Sequence, residues 1–265
     1  MKIKKLTGHS GCQVSLVQRD HFAVVRKMSP SLSYNDRIIR QRNKQQLFKS
    51  DLVKKPMVLD SGFDNNLYWF DMEFIKGPTM AKHILLGNQE LVYECFKTII
   101  NFINNNMYLD ESIENLVHDK IATMSLPQEY KFYSDYCLDF DWSRINKSYC
   151  HGDLTFENII KSSDNLYLID FLDSFCNSKI VDYSKLLQDI ILGWSWRKEK
   201  RKPFIRLIVM YDYFVSVLSE LEIEASKRML VLNLLRIIPY CGQNSESFRF
   251  VEDNLKFIKK EIINE

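Results

Sequence analysis

The 265-residue sequence has no cysteine pair at metal-ligand spacing, no long apolar run and almost no net charge. Its six cysteines, Cys12, Cys95, Cys137, Cys150, Cys176 and Cys241, are scattered, and none forms a CxxC pair. A thiolate metal cage takes its ligands in close pairs, so that class is excluded. Dispersed thiols in a chain of this size suit a reducing compartment better than a disulfide framework. The start, MKIKKLTGHSGCQV, is basic but has no apolar core behind it, unlike a secretory leader. No run of ~18 apolar residues occurs, so no transmembrane segment is expected, and the protein is expected to be cytoplasmic. A formal net charge of +2 speaks against a nucleic-acid partner. Internal repeats and low-complexity segments are absent too.

What is present is an ordinary globular composition, 46% hydrophobic and 26% charged. The first eighty residues are β-rich: alternating runs at 2–6, 12–18, 22–28 and 67–75 predict strands. The polar stretch 35–49 holds good helix formers with few apolar positions, which predicts a surface helix. Gly77-Pro78 is a strong breaker, so a first lobe over 1–77 and a second over 78–265 are expected. Residues 91–107 carry the apolar stripe of a buried helix. Short strand-like pieces follow within 147–160 and 166–170, and helices return from Asp182 to the end. The pattern is α+β: a small β-rich lobe, a hinge, then a larger helical lobe holding a small hairpin.

One constellation carries chemistry. Cys150-His151-Gly152-Asp153-Leu154-Thr155-Phe156-Glu157-Asn158 has the form HxDxxxxN, and an apolar strand ends twelve positions later at Asp170. Phosphoryl transfer from ATP requires metal ions that bridge the phosphates and a carboxylate that orients the attacking hydroxyl and takes its proton. Mg²⁺ takes few protein oxygens and completes its shell with phosphates and water. An Asn amide oxygen and an Asp carboxylate on adjacent strand ends would supply those ligands.

HGDLTFEN followed by LIDFLD resembles the catalytic and metal-binding segments of the aminoglycoside phosphotransferase and choline kinase superfamily. The resemblance covers roughly residues 1–190 and rests on these two segments. It implies a protein-kinase-like two-lobed fold that uses ATP and Mg²⁺. By matching position, Asp153 would be the catalytic base, Asn158 a Mg²⁺ ligand and Asp170 the main Mg²⁺ ligand. His151 would be a structural residue of the loop, and Asp182 would brace that loop or simply cap its helix. Phe70 to Gly77 resembles the hinge, where the backbone of Glu73 and Ile75 would bond the adenine beside Met72. The turn Thr7 to Cys12, with Ser10 and Gly11, sits where the family has its phosphate-covering loop, or else shapes a tight hairpin. Lys27 is expected to grip the α- and β-phosphates, with Val25 against the adenine and Arg26 as the alternative, because strand alternation turns only one of the two inward. The family's Glu partner for this cation is missing. Between Ser33 and Lys55 the only acids are Asp36 and Asp51, which leaves Gln41 or Gln45 to substitute.

A protein kinase is disfavoured: only eleven residues separate Asp170 from Asp182, and no Ala-Pro-Glu anchor follows. The alternative from another class is a pseudokinase, a non-catalytic nucleotide-binding scaffold supported by the missing Glu. The basic run Arg197 to Lys202, just after Trp194 and Trp196, is a solvated face or a rim that attracts an anionic substrate. Together these features lean toward a small-molecule hydroxyl acceptor that is neutral or anionic, such as a sugar. The motif wording is also similar to bacterial phosphotransferases linked to capsule or surface-polysaccharide synthesis. Asp173, three residues beyond Asp170, is expected to cap the following turn or else to help with metal or substrate. Oligomeric state is not indicated.

Overall fold

Strands β1 (Lys2–Leu6), β2 (Gln13–Gln18) and β3 (Ala23–Met28) run as successive antiparallel neighbours. The computed structural model describes residues 2–6, 11–19, 22–163, 165–242 and 245–263. After helix α1 (Asn35–Leu47) the chain returns as the hairpin β4 (Val58–Asp64) and β5 (Leu67–Glu73). The hairpin turns on Asn65 and Asn66, at φ 47° and 63°, the left-handed pair that a tight turn between twisted strands requires. The five strands form one sheet of order β1-β2-β3-β5-β4. β4 escapes prediction because its sequence, VLDSGFD, lacks clean alternation; it is an edge strand with a register shift between Val58 and Asp60.

Alternation along β5 places Tyr68, Phe70 and Met72 on one face, and Ile38 of α1 packs into the same buried cluster. Burying side chains of this size contributes about 1.5–3 kcal/mol each. Apart from Ile38, the buried positions of α1 are Gln41 and Gln45. The sparse apolar pattern that predicted a surface helix thus conceals a buried face that is largely polar.

By contacts the chain forms two compact units, Met1–His83 with Glu157–Asp173, and Ile84–Phe156 with Ser174–Glu265. The crossing therefore lies within α2 (Met80–Leu86), beyond Gly77-Pro78. The first unit also takes the hairpin β8 (Ile159–Ser162) and β9 (Asn165–Leu168). Lys161 N–H donates to the Pro78 carbonyl at 3.0 Å, and Lys54 exchanges backbone bonds with Leu166 and Leu168. Gly77 is required here, since a Cβ on it would lie 2.2 Å from the Lys161 carbonyl oxygen.

The second unit is helical. It comprises α3 (Gln89–Asn104), α4 (Glu114–Ala122), α5 (Lys131–Leu138), α6 (Lys179–Ile190), α7 (Phe204–Val217), α8 (Glu220–Leu235) and α9 (Glu246–Ile258). A two-stranded pair, β6 (Tyr108–Ser112) with β7 (Asn146–Ser148), completes it. The predicted stripe of α3 is buried at Val92, Cys95, Phe96, Ile99, Ile100 and Ile103, but its first member, Leu91 in the opening turn, is exposed. Every residue of α6 is buried except Lys185. Asn233 of α8 donates to Ser184 Oγ at 2.8 Å and satisfies part of this polar interior.

Candidate active site

In the second unit, α6 holds the HGD loop by two buried carboxylates. Asp182 accepts from the backbone N–H of His151 at 2.7 Å and of Gly152 at 2.8 Å. Two turns further along, Asp189 accepts from Phe156 N–H at 2.6 Å and from Ser195 N–H at 2.7 Å. Residues seven apart share a helix face, so one helix grips both ends of the 151–156 loop. A buried carboxylate is tolerable only when fully hydrogen-bonded, and these bonds are charge-assisted. Gly152 adopts φ 93°, a conformation that L side chains rarely take. His151 is fully buried, and its Nδ1 accepts from Asp153 N–H at 3.3 Å, which makes it part of the loop's scaffold. The Asp153 carboxylate is left about a third exposed, with Lys185 Nζ 3.1 Å away. Phe156 closes the loop, its ring 6.1 Å from that of Phe96 and 6.0 Å from that of Trp196.

The role of Asp182 gives a clean expectation. In Asp182→Ala, two buried N–H groups lose their acceptor, at about 1–3 kcal/mol each. Chemical denaturation should therefore show a loss of about 2–6 kcal/mol, against about 1 kcal/mol for Ser245→Ala, which removes the N-cap bond to Phe248 N–H. Equal losses would reduce Asp182 to an ordinary cap.

In the first unit, the β8–β9 hairpin assembles the second cluster. Ile159 pairs with Leu168, and Ile169 N–H donates to the Asn158 carbonyl at 2.9 Å. Asn158 and Asp170 therefore emerge at the same end of the hairpin. Asp170 has φ 61°, the left-handed conformation, which ends the strand abruptly. α1 and Phe48, the residue that ends it, then hold the next three residues at i, i+4 spacing. Arg40 pairs with Asp173, Lys44 Nζ donates to the Leu172 carbonyl at 3.0 Å, and the Phe48 ring lies 5.1 Å from that of Phe171.

Lys27 on β3 is buried, ion-paired to Asp170, and donates to Gln41 Oε1 at 2.8 Å. Burial pushes its amine down, but the Asp170 charge outweighs that and holds it above the ordinary 10.5. Arg26 points to the other face, where it forks onto Asp71 at 2.7 and 2.9 Å and stacks 3.9 Å over Trp69. Gln45 donates instead to the Pro56 carbonyl at 3.0 Å. Met72 is buried opposite Val25 on β3, and Glu73 N–H donates to the Met57 carbonyl at 2.9 Å. Ile75 is buried just past the end of β5. Gly11 is exposed at φ 74°; Ser10 and the rest of the 7–10 turn lie outside the described residues. Among the described residues, no three His, Cys, Asp or Glu side chains cluster to hold a metal alone. One carboxylate and one amide oxygen are nonetheless the hard donors that suit a Mg²⁺ whose other ligands are phosphates and water.

Asp189, Lys185 and the Arg40–Lys44–Phe48 row were missed from sequence. The seven-residue spacing of Asp182 and Asp189 was the available signal for the first.

No protein-family profile matches the sequence, and no curated protein matches it. Solved structures match over nearly the whole length. A thermostable mutant of an aminoglycoside phosphotransferase, in ternary complex with ADP and hygromycin B, is 13% identical with a TM-score of 0.64 over 97% of this chain and 92% of that one. Choline kinase from Streptococcus pneumoniae is 15% identical with a TM-score of 0.63 over 98% and 94%. A fructosamine-3-kinase-like protein from Haemophilus somnus is 13% identical with a TM-score of 0.56 over 96% and 90%. The chain has the α+β, two-lobed protein-kinase-like fold of these proteins.

Proposed function

We propose that this chain is an ATP- and Mg²⁺-dependent phosphotransferase that moves the γ-phosphate to a hydroxyl of a small molecule. The observation that carries the proposal is the buried Lys27, held against Asp170 and Gln41. A buried cation beside a half-exposed carboxylate at a strand end is what a metal–triphosphate needs: Lys27 for the α- and β-phosphates, Asp170 and Asn158 for the ion. When bound, Mg²⁺ held by Asp170 and Asn158 would neutralise charge that develops on the transferred phosphate. Gln41 orients the Lys27 amine as a neutral acceptor, in place of the carboxylate usual in this fold. Arg26 is committed to Asp71 and takes no part. Met72 and Val25 offer apolar contact to a purine, and the backbone at Glu73 and Ile75 its polar edge.

Asp153, five residues before Asn158 in sequence, orients the acceptor hydroxyl and takes its proton. Lys185 positions that carboxylate from α6. The structural relatives are small-molecule kinases by name, which supports a small acceptor. A cationic acceptor calls for acidic or aromatic walls, and 197–202 is basic, so a sugar or related neutral or anionic metabolite is favoured. A link to surface-polysaccharide synthesis rests on the motif wording alone.

The test is transfer of γ-labelled phosphate from Mg·ATP to a panel of sugars, amino alcohols and aminoglycosides. Label on a sugar hydroxyl is the expected result. Mg²⁺-dependent nucleotide binding with transfer to none of them would favour a scaffold on the same fold, the alternative that Gln41 in place of Glu keeps in view.

A further inference from the structure

The outward face of α7 is apolar where a surface helix is normally polar. Leu207, Met210 and Phe214 are buried, yet Phe204, Ile205 and Ile208 on the other side are 64%, 77% and 60% exposed. Val209 is exposed beside them, and the face turns polar only from Asp212. Arg206 donates to the Ile84 carbonyl and so ties α7 to the corner between α2 and α3. Leu86 and Leu91 are likewise exposed at that corner.

Immediately before α7 runs Arg197-Lys198-Glu199-Lys200-Arg201-Lys202, five cations and one acid. Arg197 lies over the Trp194 ring, while Lys198, Lys200 and Arg201 are exposed. This charge does not serve the helix. A helix N-terminus favours anions, and the first turn of α7 has no acidic residue to offset the run.

We propose that the N-terminal half of α7 and the basic run before it form a docking surface for an anionic lipid bilayer, with α7 lying flat in the interface. Aliphatic and aromatic tips beside a cluster of cations match an apolar interior under a negative surface. A protein partner fits less well, because protein interfaces deplete Lys at their core, and three lysines crowd this patch. At 14 residues α7 is too short to span a bilayer, and no described helix is long and apolar enough to do so. The inference uses none of the residues assigned to nucleotide, metal or proton transfer, and shares with the acceptor argument only the basic run 197–202.

The test is co-sedimentation of the full chain with vesicles of phosphatidylcholine, alone or mixed with phosphatidylglycerol, at ~0.1 M salt. The chain should partition onto the mixed vesicles at least ~tenfold more strongly than onto the neutral ones. Ile205→Glu with Ile208→Glu, and separately Lys198→Gln with Lys200→Gln and Arg201→Gln, should each reduce that partition by roughly tenfold or more. All five side chains are outside the core, so thermal unfolding should be unchanged in both variants. Binding to neither vesicle, equal binding to both, or parental binding by either variant would overturn the proposal. So would vesicle indifference in a chain that self-associates until Ile205→Glu and Ile208→Glu separate it, because a second copy would then cover the face.

Discussion

Asp153→Asn is expected to lower turnover by about 10²–10⁴-fold, the range that a general base contributes, while leaving Mg²⁺-dependent nucleotide binding intact. The substitution keeps the shape of the side chain and removes its charge. The loop around it is held by backbone bonds to Asp182 and Asp189, and none of those bonds uses the Asp153 carboxylate. Geometry should therefore survive, and a nucleotide-induced thermal shift equal to that of the parent would show it. What is lost is the counter-ion of Lys185 and, on the proposed mechanism, the acceptor of the hydroxyl proton. Turnover within a few-fold of the parent would remove Asp153 from the chemistry, and a variant that also lost the shift would make its role structural.

Asp170→Asn should abolish the Mg²⁺-dependent stabilisation by ATP. Nucleotide at ~100 times its dissociation constant stabilises the native state by ~2.7 kcal/mol, a rise in Tm of roughly 5–10 °C for a chain this long. If Asp170 is the carboxylate that would hold the metal, as proposed, the rise should vanish in the variant. The unliganded protein should also melt lower. Lys27 remains buried, but the charge that holds its amine above 10.5 is gone. The sign follows from linkage: a raised folded-state value contributes stability fully below 10.5 and loses it only as pH rises through the higher value. The Lys27 amine is thus charged at neutral pH, and the variant loses the pairing there. Asp173→Asn gives up only the pairing with Arg40, which is more than half exposed, and should keep the full nucleotide-dependent rise. A Mg²⁺-dependent rise that persists in Asp170→Asn would dismiss Asp170 as a ligand.

Sequence alone was enough for most of the β-rich start, for α3 and for the strand just before Asp170, because alternation and helical stripes are local patterns set by which face meets the core. It did not reveal β4, whose edge position asks for no alternation, or the burial of Gln41 and Gln45, which only a partner's hydrogen bond makes tolerable. The motif residues Asp153, Asn158 and Asp170 could be named as candidates because their chemistry demands particular side chains at particular spacings. Their supports could not. That α6 clamps the loop through Asp182 and Asp189, that Lys185 meets Asp153, and that Lys27 rather than Arg26 turns toward Asp170 with Gln41 behind it are facts of side chains far apart in sequence. No local pattern encodes such meetings. Each depends on which helix packs beside which loop, and tertiary structure alone decides that.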